Sequence, residues 1–153
     1  MKKIFFDMDG TVYDLYNLPN WLEMLRNEED GAFALGNPKV NLQDLAVVCQ
    51  ALQMQGWQIG VITWLPMNAT QEYQIRAARE KKNWIAQNMP YVTEFYAQAY
   101  GVPKQIAPVH QAKTMILVDD NADVRKTWET KKQRKTIDAN LDIIAELAKL
   151  LEE

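Results

Sequence analysis

Four aspartates fall in two short clusters, each placed just where an apolar run ends. The first is Asp7-Met8-Asp9-Gly10-Thr11-Val12 after Ile4-Phe5-Phe6; the second is Asp119-Asp120-Asn121 after Ile116-Leu117-Val118. Runs of this kind read as buried strands, and open α/β sheets gather their ligands at the carboxyl ends of strands. If the two strands are neighbours, four carboxylates converge at one edge. Two unit charges about 4 Å apart repel by roughly 4 kcal/mol at an effective dielectric near 20. A hard divalent cation resolves that conflict, and all-oxygen ligation suits Mg²⁺. The same metal lets a carboxylate approach a phosphate dianion. A lone Asp-x-Asp is more often an ordinary turn. Asp-x-Asp-Gly-Thr after one apolar strand, with Asp-Asp after another, points to catalysis or metal binding.

The elements that must position these acids alternate along the chain. Short apolar runs occur at 4–6, 57–63, 94–100, 115–118 and 136–137, separated by longer helical patterns. That alternation is the mark of βαβ units and a parallel sheet. Asn41 is placed to cap a helix over 42–55, whose apolar stripe is Leu42, Leu45, Val48, Cys49 and Leu52. A second helix is expected over 69–88, stopping before Pro90. A short one follows Asn121, and the last is expected to start at Asn140. Residues 15–26 suggest a further short helix. The whole stretch 15–40, with Gly31, Gly36 and Pro38, reads as a small cap or lid inserted in a single domain spanning 1–153.

The bulk composition excludes several classes. A chain of 153 residues with 48% hydrophobic and 24% charged residues can bury one sizeable core. Its net charge of -3 gives no general attraction for polyanions or anionic membranes, so nucleic acid is not an expected partner. Cys49 is the sole cysteine, which rules out an internal disulfide and suits a reducing compartment. Lys2 and Lys3 before Ile4-Phe5-Phe6 imitate a secretory signal, but Asp7 and Asp9 interrupt the apolar run too early. No stretch reaches the roughly 20 apolar residues of a membrane span. A cytoplasmic location is the expectation.

With these residues in view, the chain resembles the haloacid dehalogenase superfamily of phosphotransferases. Asp7-Met8-Asp9-Gly10-Thr11-Val12 is similar to its first motif, Val61-Ile62-Thr63 to its second, and Ile116-Leu117-Val118-Asp119-Asp120 to its acidic fourth. The order along the chain agrees. The resemblance implies a Rossmann-like three-layer α/β/α parallel sheet and a Mg²⁺-dependent phosphomonoester hydrolase. It implies that Asp7 attacks phosphorus to form an aspartyl-phosphate, and that Asp9 acts as general acid and then general base. It further implies Mg²⁺ held by the side chains of Asp7 and Asp119 and the main-chain carbonyl of Asp9, with Asp120 supporting the metal from further out. Thr63 would bind phosphoryl oxygens. Response regulators also use an aspartyl-phosphate, but there the acid pair precedes the phosphorylated residue, the reverse of the order here.

The superfamily needs a lysine to neutralise nucleophile and phosphate. Lys81 falls within the apolar arc formed by Tyr73, Ala77, Ala78, Trp84 and Ile85, where an amine needs an anionic partner or a route by which its stem snorkels along the core edge. Glu80-Lys81-Lys82-Asn83-Trp84 also resembles the corresponding segment of 5′(3′)-deoxyribonucleotidases. Lys81 is therefore the expected phosphate-binding lysine, and Lys104 the runner-up. The expected substrate is a small phosphorylated molecule such as a nucleotide. A phosphatase of nucleic-acid ends or phosphoprotein is the competing enzyme reading, and a phosphate-binding or partner-binding module without turnover is the non-enzymatic one. Tyr13, Tyr16, Trp21 and Trp64 stand close to motif residues, and each could either stack on an aromatic leaving group or pack beneath the cap. The basic run from Arg125 to Lys135 reads as solvated surface, and His110 has no assigned role.

Overall fold

The computed structural model describes residues 1–107, 109–110 and 112–153. Five strands form one parallel sheet: β1 (Lys2–Phe6), β2 (Trp57–Trp64), β3 (Glu94–Gln98), β4 (Thr114–Asp119) and β5 (Arg134–Asp138), in the order β3-β2-β1-β4-β5. The central strand β1 pairs with β2 on one side and β4 on the other, with Phe6 level with both Val61 and Val118. The chain winds outward from β1 in both directions, so the strand order reverses between β1 and β4. At such a reversal the connections leave to opposite faces, and a crevice opens at the carboxyl ends of the strands.

The helices are α1 (Trp21–Arg26), α2 (Leu42–Met54), α3 (Gln71–Asn88), α4 (Ala122–Trp128) and α5 (Ile143–Lys149). Alternate residues of β1 face opposite layers. Ile4 and Phe6 join the larger core with Leu45, Val48 and Leu52 of α2, Tyr73, Ala77 and Trp84 of α3, and Leu147 of α5. Phe5 joins the smaller core with Ile62, Leu117, and Val124 and Trp128 of α4. The result is the three-layer α/β/α arrangement expected from the sequence. Gly60 makes room for it locally, since a Cβ there would lie 2.7 Å from the Phe5 ring.

Local chemistry explains most boundaries and a few departures. The Asn41 side chain accepts from Asp44 N at 3.0 Å and caps α2 as expected. Thr70 caps α3 by accepting from Tyr73 N, so the helix starts at Gln71 rather than 69. The last helix is capped by Asp142, not Asn140; the Asp142 carboxylate accepts from Ala145 N at 3.1 Å, while Asn140 is used elsewhere. Residues 15–26 do not form one helix. Leu15–Asn17 make a 3-10 turn and α1 starts only at Trp21. Pro19 disfavours a helical Leu18, which is extended at ψ 124°. The strand expected over 94–100 ends at Gln98.

The 15–40 stretch lies against α3 through polar contacts. The Glu80 carboxylate accepts from Gly31 N and Phe33 N, the nearest approaches being 2.9 and 2.7 Å. Glu28 accepts from Thr70 N and Oγ1 at 2.8 and 2.7 Å, and Arg76 donates to Asp30 and to Glu28 O at 3.0 Å each. Tyr13 donates to Ala32 O at 2.6 Å and accepts from Gly36 N at 2.8 Å.

Candidate active site

The tips of β1 and β4 meet. Asp7 N donates to Val118 O at 2.9 Å, which carries the parallel ladder one residue beyond β1 and sets Asp7 beside Asp119. Beyond Asp7 the chain turns back sharply, with Met8 O accepting from the amides of Thr11, Val12 and Tyr13 at 3.0–3.1 Å. Gly10 allows this turn with φ +80°, a region that side-chain-bearing residues rarely enter. A Cβ at Gly10 would also collide with Asp120 Oδ2. Met8 is fully buried and packs in the larger core.

Asp7, Asp119 and Asp120 each bring a carboxylate oxygen within 4.8 Å of the other two. The Thr11 hydroxyl lies 3.1 Å from Asp7 Oδ2 and 3.4 Å from Asp120 Oδ1, linking the two clusters. Burial, then the neighbouring carboxylates, raise Asp120 to about 7. Asp119 is likewise raised, by burial first and Asp7 second. Asn121 N donates to Asp119 Oδ1 at 2.9 Å, while the Asn121 side chain caps α4.

Two buried lysines serve this edge and pair with different acids, Lys104 with Asp7 and Asp119 and Lys81 with Asp9. Lys104, from the turn after β3, donates to Asp7 Oδ1 and Asp119 Oδ2 at 2.7 Å each and is 3% exposed. Burial pushes its ammonium down, but Asp7 and Asp119 outweigh that and hold it above its ordinary value. Lys81, from α3, is fully buried and donates to Asp9 Oδ2 at 2.7 Å, Thr63 Oγ1 at 2.9 Å and Trp64 O at 2.6 Å. The inward direction read for Lys81 therefore has its anionic partner, and that partner is Asp9. The lysine in contact with Asp7 is Lys104.

Asp9 differs from the other acids. Its side chain lies outside the three-carboxylate group. Burial raises its carboxyl despite the opposing Lys81 charge, and Oδ1 is buried without a hydrogen-bond partner among the described residues. A carboxyl with one oxygen on an ammonium and the other unpartnered can carry a proton on the free oxygen and offer it to an incoming group. Thr63, at 0% exposure, accepts from Lys81, which leaves its own hydroxyl hydrogen free to donate.

Asp7, Asp9, Asp119 and Asp120, with Lys104, line one cavity of about 590 Å³, whereas Thr63 and Lys81 stand behind its lining. Three residues take supporting roles that the sequence did not assign to them. Arg125 donates to Asp119 O at 3.0 Å and pairs with Asp138 at 3.2 Å, so part of the basic run braces the site. Asn140 donates to Asp120 O at 2.8 Å. Glu80 fastens the 15–40 stretch. Arg134, from the same basic run, is also not solvated: it is 7% exposed, beneath the Trp128 ring at 4.4 Å. Its place as the first residue of β5 turns it inward, a signal that the run of charges concealed. His110 is exposed.

The sheet order and the acid edge define a three-layer α/β fold with a carboxylate cluster at the carboxyl ends of its central strands. Among solved structures, the chain is similar to D,D-heptose 1,7-bisphosphate phosphatase from B. bronchiseptica, a complex with magnesium and phosphate, with TM-score 0.55 and 13% identity over 99% of both chains. It is also similar to D,D-heptose 1,7-bisphosphate phosphatase from Burkholderia Thailandensis, with TM-score 0.52 and 14% identity over the whole of both chains. At these identities the likeness is one of fold. No family model and no curated protein matches the sequence. Among the described residues, no helix is long and apolar enough to cross a membrane.

Proposed function

We propose that this chain is a Mg²⁺-dependent phosphomonoester hydrolase that works through an aspartyl-phosphate on Asp7. The observation that carries the reading is the convergence of Asp7, Asp119 and Asp120 within 4.8 Å at the tips of two neighbouring strands. The donor set fits Mg²⁺, being all hard oxygen and mutually repulsive without a cation. Asp7 and Asp119 would hold the ion directly with the Asp9 carbonyl, and Asp120 is close enough to take part. Once bound, the metal would offset negative charge on carboxylates and phosphate.

The side chains supply the rest. An Asp7 oxygen attacks phosphorus, and the bond from phosphorus to the ester oxygen breaks. Asp9 donates its proton to the departing alkoxide, a role its burial-raised carboxyl and unpartnered Oδ1 support. The resulting Asp9 carboxylate is stabilised by Lys81 and then accepts a proton from the water that attacks the aspartyl-phosphate. This second attack releases inorganic phosphate and restores both aspartates. Lys104 stands by the nucleophile and would neutralise the phosphoryl oxygens, while the Thr63 hydroxyl donates to them. Lys81, the lysine first assigned to phosphate, is better placed to hold Asp9 and Thr63 than to meet phosphate itself.

The substrate would be a small phosphorylated molecule, a nucleotide among the candidates. The 15–40 stretch would act as a small cap within a single domain of residues 1–153, supported by its contacts to α3. A cytoplasmic location agrees with Cys49, whose thiol is buried and pushed up to about 12. The test is release of phosphate from an aryl phosphate with and without Mg²⁺, comparing wild type with Asp7→Asn and Asp9→Asn. Metal-dependent hydrolysis lost in both variants is expected. Full activity in Asp7→Asn would overturn the nucleophile assignment.

A further inference from the structure

Several large apolar side chains are left exposed at the acid edge. Tyr16, Leu22, Met67 and Tyr100 are 52%, 41%, 61% and 55% exposed, and all four line the cavity that contains Asp7. Two aromatic pairs stand among them. Tyr16 and Trp21 come from the 15–40 stretch, with ring centres 5.1 Å apart at 78°. Trp64 ends β2 and Tyr100 follows two residues after β3, with ring centres 5.0 Å apart at 55°.

Each pair is tied to the reacting centre. The Tyr16 ring edge lies over the turn between Asp9 and Thr11, where a Gly10 Cβ would come within 2.9 Å of Tyr16 Cε2. Trp64 follows Thr63 directly, its ring lies 5.4 Å from the Lys104 ammonium, and its indole N–H donates to Val102 O at 2.7 Å. That hydrogen bond fixes the indole plane, so the ring is preorganised rather than free to collapse into the cavity.

The charges on the lining point the same way. Its carboxylates are Asp7, Asp9, Glu28, Asp119 and Asp120, and its cations are Arg26 and Lys104. Lys104 is already committed to Asp7 and Asp119. Only Arg26 is left to meet a second anionic group, so a bisphosphate would place its second dianion against apolar and acidic walls. A flat ring gains instead from aromatic faces, whose stacking is tolerant of ring identity.

We infer that the cavity selects phosphomonoesters whose alcohol half carries a planar aromatic ring, held between the Tyr16–Trp21 pair and the Trp64–Tyr100 pair. This rests on the phosphatase reading and specifies its substrate class. The four aromatic residues are specificity determinants, and the acids do the chemistry.

The test has a kinetic arm and a binding arm, both with Mg²⁺. Benzyl phosphate, ethyl phosphate and a hexose 1,6-bisphosphate are compared by kcat/KM, the first two having alcohols of similar acidity. Benzylphosphonate and methylphosphonate, which cannot be hydrolysed, are compared by calorimetry. Benzyl phosphate is expected to be favoured at least thirtyfold over both other esters, and benzylphosphonate to bind at least tenfold tighter than methylphosphonate. In Tyr16→Ala and in Tyr100→Ala, the benzyl-to-methyl binding ratio should fall at least threefold, and Tyr100→Phe should restore it. Equal turnover of all three esters, or preference for the bisphosphate, overturns the aromatic slot while leaving the phosphatase intact. Tight binding of benzylphosphonate with no turnover of any ester would instead sink the phosphatase reading and keep the slot. Equal binding of the two phosphonates overturns the slot whatever the turnover.

Discussion

Replacing Lys81 with methionine removes a charge that the fold has buried completely while leaving a side chain of nearly the same length. The ammonium lies 2.7 Å from Asp9 Oδ2, and the Asp9 side chain is 18% exposed. With Asp9 ionised, the state it reaches after giving up its proton, an effective dielectric near 20 gives a gross attraction of roughly 6 kcal/mol at that separation. Burying both groups returns part of this, and experience with broken buried pairs places the net cost at about 3–5 kcal/mol. Two further acceptors, Thr63 Oγ1 and Trp64 O, lose their donor at the same time. For a chain of this size the melting temperature should fall by roughly 6–20 °C. The discriminating assay is a urea-melt double-mutant cycle of Lys81→Met with Asp9→Asn in metal-free buffer. Each single variant strands its partner, whereas the double variant strands neither charge. It should therefore be more stable than the sum of the single losses predicts, by at least about 2 kcal/mol. Additive losses, or a Lys81→Met change below about 1 kcal/mol, would refute the pairing.

Other expectations concern the acid edge. Burial raises Asp9, Asp119 and Asp120 from their ordinary values, Asp120 to about 7. Between about pH 4 and 7 the folded, metal-free chain therefore binds more protons than the unfolded one, so these groups make stability decline as pH rises through that window. Calorimetric melting should show a higher transition at pH 5.5 than at pH 8 without metal, and Mg²⁺ at pH 8 should recover the difference. A metal-free transition that rises toward pH 8, or no response to Mg²⁺, would contradict this. Gly10→Ala forces a side chain into φ +80° and into Asp120 Oδ2, and should cost about 1–3 kcal/mol in a urea melt while weakening Mg²⁺ binding. An unchanged midpoint and metal affinity would mean the turn has slack that the geometry does not suggest.

Much of this was legible in the chain itself. Unbroken runs such as Ile4-Phe5-Phe6 and Ile116-Leu117-Val118 can only be covered on both faces, so strand identity and the parallel sheet followed from composition over a few residues. The acids followed too, because each terminates such a run, and Asn41 declared its helix through a local hydrogen bond. What the sequence did not decide depends on contacts between residues far apart in number. Helical periodicity turned Lys81 inward but could not say which acid it would meet. That Lys104, 97 residues from Asp7, reaches the nucleophile instead is a consequence of strand order. Arg134 and Asn140 look like surface residues until β5 and the loop after it are packed beside β4. The aromatic pairs are the clearest case: Tyr16 and Trp21 lie far from Trp64 and Tyr100 along the chain, and only the fold brings them to the lining of one cavity. Local patterns settle direction and burial because they are properties of one element, whereas partnership is a property of the assembled sheet.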